Sequence, residues 1–196
     1  MSVIMTSGFA SGIRLNAPKG NGVRPTGVRA KRALFDSIES SYGWSNSTVV
    51  DLFSGSGALG LEAASRGAAR VFLIEKDGRH CKFAEKNIEA VKKAAGKDYE
   101  LEIKLYRSDV IHTARKLTFI KGDIDIILSD PPYAQSEYYF NKLIHDSEFC
   151  SWAVGALLVW ELPAKSCRWQ VPNSWSIDSI RNFAGTEFIC LRTLSV

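Results

Sequence analysis

A chain of 196 residues, 45% hydrophobic and 23% charged, has the balance of one compact soluble domain with a full core, which excludes a disordered tail or a fibre. No apolar run approaches the roughly 20 residues of a membrane span. The opening Met1-Ser2-Val3-Ile4-Met5 has no charged segment leading into an apolar core, so it does not read as a secretory signal. The net charge of +4 permits a polyanionic partner without requiring one.

Four cysteines, Cys81, Cys150, Cys167 and Cys190, are scattered without a C-x-x-C pair. They read as reduced thiols, not as a disulfide frame or a zinc site, and the expected compartment is the cytoplasm. The charge distribution says more than its sum. Six basic residues (Arg14, Lys19, Arg24, Arg29, Lys31, Arg32) and no acid fall between positions 14 and 32. Such a one-sign segment is either a solvated basic face or an arm that contacts phosphates.

In chain order, residues 1–26 are expected to form a hairpin or extended arm, and residues 27–196 the main domain. Thr26 or Gly27 opens a helix over about Val28–Ser40, with Ala30, Ala33, Leu34, Ile38 and Tyr42 at helical spacing. The chain then alternates. Strands are expected at Thr48–Phe53, Arg70–Glu75, Leu101–Arg107, Ile124–Ser129 and Gly155–Leu162. Helices are expected at Ala58–Arg66, Asp77–Ala95 with Asp77 as its cap, Val110–Phe119 and Glu137–Phe149. Two last strands, about Trp175–Phe183 and Thr186–Leu194, have no helix between them and read as a closing hairpin. The pattern predicts an α/β, Rossmann-like fold: a doubly wound, mostly parallel seven-stranded sheet with an antiparallel C-terminal hairpin. Ligands in such folds sit beyond the carboxyl ends of the strands, so chemistry is sought there.

The first buried strand ends Asp51-Leu52-Phe53-Ser54-Gly55-Ser56-Gly57 and continues to Gly60. Gly55 and Gly57 suit a tight turn that lets backbone approach a ligand, with the next helix aiming its N–H groups into the cleft. Glu75 ends the following strand, 20 residues after Gly55, where a carboxylate can accept both hydroxyls of a ribose. These features alone fit a nicotinamide dinucleotide as well as S-adenosylmethionine. Asp51 helps to separate the two. A pyrophosphate gains nothing from that negative charge, whereas a cofactor with a sulfonium and an α-ammonium does. A turn-capping role for Asp51 is the plain alternative.

The fourth buried strand ends Ser129-Asp130-Pro131-Pro132-Tyr133. Two consecutive prolines are poor choices for turn stability alone, because they remove two N–H donors and leave rigid carbonyls. An exocyclic base amine is a weak nucleophile, its lone pair delocalised into the ring. Acceptors for both its N–H groups draw that lone pair toward a methyl donor, and the Asp130 carboxylate and Pro131 carbonyl are suitable. Tyr133 is expected to stack on the extruded base.

Asp-Pro-Pro-Tyr after Asp-x-Phe-x-Gly-x-Gly resembles the class I methyltransferases that act on exocyclic amines of nucleic acids. Gly22-Val23-Arg24-Pro25-Thr26, Arg29, Ala33-Leu34-Phe35, Asp51 through Ala63 and Ser65-Arg66-Gly67-Ala68 resemble the RsmD-type bacterial methyltransferases, over about Gly12 to Leu194. The resemblance implies methyl transfer from S-adenosylmethionine to the N2 of a guanine in 16S ribosomal RNA. The implied partner is ribosomal RNA within an assembled or assembling small subunit, met by a monomer. It also implies that Glu75 binds the cofactor ribose, that Asp109 (in Ser108-Asp109-Val110) approaches the adenine amino group, and that Asp130 to Tyr133 hold the guanine. Phe53, Ser54, Ser56, Lys76 and Val110 complete the expected cofactor site, to which Asp130 also contributes. Arg24, Thr26, Arg29, Lys31 and Arg32 form the expected RNA-binding set. Relatives usually carry Asp-Arg-Val-Arg-Glu where this chain has Val28-Arg29-Ala30-Lys31-Arg32, which makes this helix more basic.

Other residues carry weaker signals. Glu62 reads as a first-turn helix acid and Glu161 as a strand-end acid that could face the cleft. His80, His112 and His145 lack metal spacing, and the five tryptophans read as packing. A DNA adenine-N6 or other RNA amino-methyltransferase, a nicotinamide-dependent oxidoreductase and a non-catalytic RNA-binding assembly factor are the rival readings.

Overall fold

The computed structural model describes residues 2–18, 25–96, 100–162, 170–183 and 185–194. Strands β1 (Ser2–Ile4) and β2 (Arg14–Asn16) pair antiparallel as a small hairpin, and α1 (Pro25–Ser41) follows. The main sheet is built from β3 (Thr48–Leu52), β4 (Arg70–Glu75), β5 (Glu102–Arg107), β6 (Ile126–Ser129), β7 (Leu157–Leu162), β8 (Trp175–Phe183) and β9 (Thr186–Thr193). Their order is β5-β4-β3-β6-β7-β9-β8. The first five strands in that order pair in parallel, and β9 and β8 add the antiparallel edge that the sequence predicts.

Helices cover both faces, and for that reason the central strands read as continuous apolar runs. All residues of β3, β6 and β7 are buried. Side chains alternate between two cores. Val50, Leu52, Phe72, Ile74 and Trp160 face one way, beneath α4 (Thr113–Lys116), α5 (Ser136–Ile144) and α6 (Ser147–Trp152). Val49, Val71, Leu73, Leu128 and Val159 face the other way, beneath α1 and α2 (Ala58–Ser65). Helix α3 (Gly78–Ala95) packs against α2 and β5.

The hairpin shares this second core, to which it contributes Met5, Ala10 and Leu15. Asn87 in α3 accepts the Asn16 N–H at 2.8 Å and donates to the Asn16 and Ser56 carbonyls at 2.9 and 2.8 Å, so one buried amide ties hairpin, helix and glycine loop together. Arg66 is a second tie. Its guanidinium, 1% exposed, donates to Asp36 and Glu39 of α1 at 2.7 Å each and to Glu62 at 3.0 Å. Glu62 in turn accepts the Thr6 N–H at 2.9 Å. Glu62 is therefore engaged as a latch between α2, Arg66 and the hairpin.

Two expected helices differ. The stretch from Glu137 to Phe149 is broken into α5 and α6, because Asp146 turns its carboxylate onto the Glu148 and Phe149 N–H groups (2.8 and 3.1 Å) and starts a new helix. The stretch Val110–Phe119 contains only the single α-turn α4 between two 3₁₀ turns. Asp109 there accepts the Ile111 N–H at 3.3 Å. Asp77 caps α3 through the Arg79 N–H, as its position in the sequence predicts. The described cysteines, Cys81, Cys150 and Cys190, are buried free thiols. Cys167 and Trp169 lie outside the described residues. No described helix is long and apolar enough to cross a membrane.

Candidate active site

Strand register puts the chemistry on one line. Leu52 lies opposite Ile74 on one side and Ser129 on the other, and Ser129 lies opposite Trp160. The next residue on each strand, namely Phe53, Glu75, Asp130 and Glu161, therefore stands at the same carboxyl edge. A cleft of about 1050 Å³ opens along that edge, large enough for a nucleoside and a second ring.

The glycine loop forms one end of the cleft. Glu75 accepts the Gly55 N–H at 2.8 Å through Oε2 and the Asp77 N–H at 2.7 Å through Oε1. Each oxygen keeps a further lone pair for a hydroxyl. Asp51 accepts the Gly60 N–H at 2.8 Å through Oδ2, while its buried Oδ1 has no hydrogen-bond partner. Burial pushes this carboxyl up to about 7, against the Gly60 N–H, which lowers it. Gly60 has a packing role: a Cβ there would lie 2.4 Å from Leu73 Cδ2 and 3.1 Å from Asp51 Cβ. Gly57 (φ 82°) caps α2 in the left-handed region and does not itself line the cleft. Phe53 adopts φ 58°, which is costly for a bulky side chain. Its ring is held edge-on against Tyr139 and Trp160, with centroids at 4.9 and 5.9 Å.

Beyond the loop, the Asp109 carboxylate lines the cleft and accepts the Tyr139 hydroxyl at 3.2 Å. Lys76 donates to the same hydroxyl at 2.8 Å and stands 3.6 Å from Asp109. Ser54, Ser56 and Val110 also line the cleft, and the Ser54 hydroxyl is buried without a partner. His80, read from the sequence as ordinary, approaches Glu75 at 3.9 Å. Tyr139, Asn87 and His80 carried no motif signal. Helical spacing marks only which face of α3 or α5 a side chain occupies, not that the face ends at the cleft.

The far end holds Asp130 to Tyr133. Pro131 is buried and Pro132 exposed, and the Pro132 carbonyl accepts the Gln135 N–H at 2.9 Å. The Tyr133 ring is half exposed, while its hydroxyl donates to Glu161 at 2.8 Å. Burial, reinforced by Glu161, pushes that phenol up to about 12. Lys31 reaches in from α1, which packs over β8 and β9, and its ammonium pairs with Asp130 and stands 3.6 Å from Glu161. Burial opposes the lysine's charge, but the two carboxylates outweigh it and hold the group above the ordinary lysine range. Burial and Asp130 push Glu161 up to about 7, with Lys31 pulling the other way.

The expected RNA-binding set is thus split. Lys31 is turned into the cleft, Arg32 lines its rim with an exposed side chain, and Arg29 is exposed outside it. Arg24 lies outside the described residues, and of Thr26 only the backbone, in α1, is described. No group of three or more metal-ligating side chains occurs among the described residues.

Three comparisons bear on this arrangement. A Bacillus subtilis protein named as a candidate rRNA methyltransferase, YlbH, is 32% identical over 67% of this chain and 67% of its own. Ribosomal RNA small subunit methyltransferase D of Buchnera aphidicola is 29% identical over 89% of this chain and 85% of its own. The solved structure of an Escherichia coli protein named as a methyltransferase candidate, yhhF, superposes with a TM-score of 0.73 at 25% identity, covering 98% of each chain. The seven-stranded sheet with its antiparallel edge is the class I methyltransferase fold. With a family model matching residues 3–189, the chain belongs to the family described as Conserved hypothetical protein 95 and stands within it among the RsmD-type methyltransferases.

Proposed function

We propose that the protein transfers a methyl group from S-adenosylmethionine to the exocyclic N2 amine of a guanine in 16S ribosomal RNA. The observation that carries this reading is the alignment on one cleft of the Glu75–Asp51 end, suited to a nucleoside cation, with the Asp130–Tyr133 end, suited to an amine. Relatives named as ribosomal RNA methyltransferases support the substrate class.

The donor set fits the cofactor. Glu75 is spaced for two vicinal hydroxyls, Asp109 for an adenine amine, and the partnerless Asp51 oxygen for a cation or a bridging water. When bound, S-adenosylmethionine supplies the electrophilic methyl group. The remaining work falls to the chain's own residues. Asp130 and the Pro131 carbonyl accept the two amine N–H groups and orient the nitrogen lone pair along the attack line. As positive charge develops on that nitrogen, Asp130 stabilises it and is placed to take the departing proton. The Tyr133 ring offers a stacking face at the cleft mouth. Arg29 and Arg32 lie outside and at the rim, where phosphates would pass. A particle-level substrate and a monomeric enzyme belong to the same proposal.

The test is to incubate the protein with labelled S-adenosylmethionine and small ribosomal subunits from cells lacking it, then map the labelled nucleotide. Label on a guanine N2 is the expected result. Label on an adenine N6, or transfer only to DNA, overturns the guanine assignment. Absence of transfer to any nucleic acid, with cofactor binding retained, points to a non-catalytic assembly factor.

A further inference from the structure

Glu161 is the charged residue of β7, a strand otherwise composed of Leu, Val and Trp and buried throughout. It is 5% exposed, yet it lines the cleft beside Asp130. The Tyr133 hydroxyl occupies one oxygen, and the other, Oε2, is buried without a hydrogen bond and faces the Lys31 ammonium, 3.6 Å away. A residue present only to hold Tyr133 would need one acceptor. A buried carboxylate oxygen held by one ion pair too long for a hydrogen bond keeps its lone pairs for a further donor, and leaving them unused is costly. Both carboxylates lie within reach of one cation, since the Lys31 ammonium pairs with Asp130 and stands 3.6 Å from Glu161. This end of the cleft is thus built to receive neighbouring donors on two acceptors.

We propose that Glu161 is a specificity-determining residue whose carboxylate accepts the N1–H of the target guanine, next to the amine held by Asp130. The inference rests on the guanine reading above and assigns how that base is chosen. The chemistry discriminates sharply. Adenine and cytosine also present an exocyclic amine, but the ring nitrogen beside it is an acceptor. In guanine the amine lies between N1, which is a donor, and N3, which is an acceptor. A carboxylate on the N1 side of the amine acceptor meets a hydrogen in guanine and a lone pair in the other two, and a buried acceptor left facing a lone pair rejects its ligand strongly. In the free protein the Lys31 ammonium offers the two carboxylates donors of the same sense as the guanine edge.

The test compares guanine with 2-aminopurine at the mapped target position of a ligated ribosomal RNA. 2-Aminopurine keeps the exocyclic amine but has no N1–H. The measurement is single-turnover kcat/KM for wild type, Glu161→Gln and Glu161→Ala, with S-adenosylhomocysteine affinity measured alongside. Wild type is expected to favour guanine by at least about a hundredfold. Glu161→Gln should narrow that preference by about tenfold or more, because its amide N–H can donate to the bare N1. Glu161→Ala should lose the preference without gaining on 2-aminopurine. Cofactor affinity should stay within about twofold in both. Equal use of the two bases by wild type overturns the inference without recourse to any variant, and so does an unchanged preference in a folded Glu161→Gln. If wild type methylates no ribosomal guanine, the guanine reading itself falls. If it does so without discriminating, only the role of Glu161 falls.

Discussion

The ammonium of Lys31, in the first helix, is paired with the carboxylate of Asp130, 99 residues later at the end of β6. The pair joins the basic segment to the Asp-Pro-Pro-Tyr turn and sets Lys31 apart from its neighbours Arg29 and Arg32. It also leaves Asp130 and Glu161 under one positive charge.

That geometry predicts a pH dependence. Glu161 is held up to about 7 by burial and by Asp130, and Lys31 opposes the rise. If the ionised form is the working acceptor, methyl transfer should increase as pH rises through about 7. Lys31→Ala removes the opposing charge, so the rise should move to higher pH, and Lys31→Arg should restore it. Single-turnover rates between pH 5.5 and 9 measure this. A profile unmoved by Lys31→Ala would show that the lysine does not tune the acceptors.

Asp130→Ala should retain most cofactor binding, which Glu75, Asp109 and Asp51 carry at the other end of the cleft, and slow transfer by about 10²–10³, the usual loss for one preorganised group facing developing charge. Asp130→Asn should retain more activity, since an amide oxygen still accepts one N–H. Single-turnover transfer at saturating cofactor is the measurement. Wild-type turnover by the alanine variant would remove Asp130 from the mechanism.

Glu75→Ala should raise the S-adenosylhomocysteine dissociation constant about tenfold or more, from loss of charge-assisted hydrogen bonds worth roughly 1.5–3 kcal/mol. The change also frees the Gly55 and Asp77 N–H groups that Glu75 now holds. Calorimetric titration reads the effect. An unchanged constant in a folded variant would take Glu75 out of the cofactor site.

Asp51 should report through stability. Its carboxyl is raised from 3.8 to about 7 in the fold. The folded state therefore binds more protons than the unfolded chain between those values. The stability this contributes is complete below about pH 3.8 and is lost as pH rises to about 7. Asp51→Asn keeps an acceptor for the Gly60 N–H and removes the ionisation. It should stabilise the protein above pH 7, by at most about 4 kcal/mol, with the gain vanishing near pH 4. It should also weaken cofactor affinity. Denaturant midpoints across that pH range decide the matter, and a pH-independent difference would contradict it.

Reversing Arg29 and Arg32 to Glu should weaken RNA binding and flatten its salt dependence, with little change in S-adenosylhomocysteine affinity. A filter-binding salt titration of wild type and double variant on the same RNA reads both quantities. Equal slopes and affinities would mean that RNA docks elsewhere.

The sequence by itself determined the alternation of strands and helices, the closing hairpin and the two strand-end motifs. These depend on local properties: apolar runs bounded by glycine and proline, and side chains adjacent to them in the chain. It marked Asp51, Glu75 and Asp130 for the same reason, since each ends or interrupts a buried strand. Helix ends were legible where a cap was adjacent, as at Asp77, and hidden where one capping side chain had to outcompete a continuing helix, as at Asp146. Only the tertiary structure decided that Lys31 turns inward while Arg29 stays out. Helical spacing gives a residue's angle around α1 but not that α1 lies across β8 and β9, above the ends of β6 and β7. It likewise decided that Glu161 keeps a buried oxygen without a hydrogen bond and that Asn87 fastens the glycine loop to the hairpin. Each of these depends on groups that strand register and helix packing bring together from distant parts of the chain, and no local pattern encodes that packing.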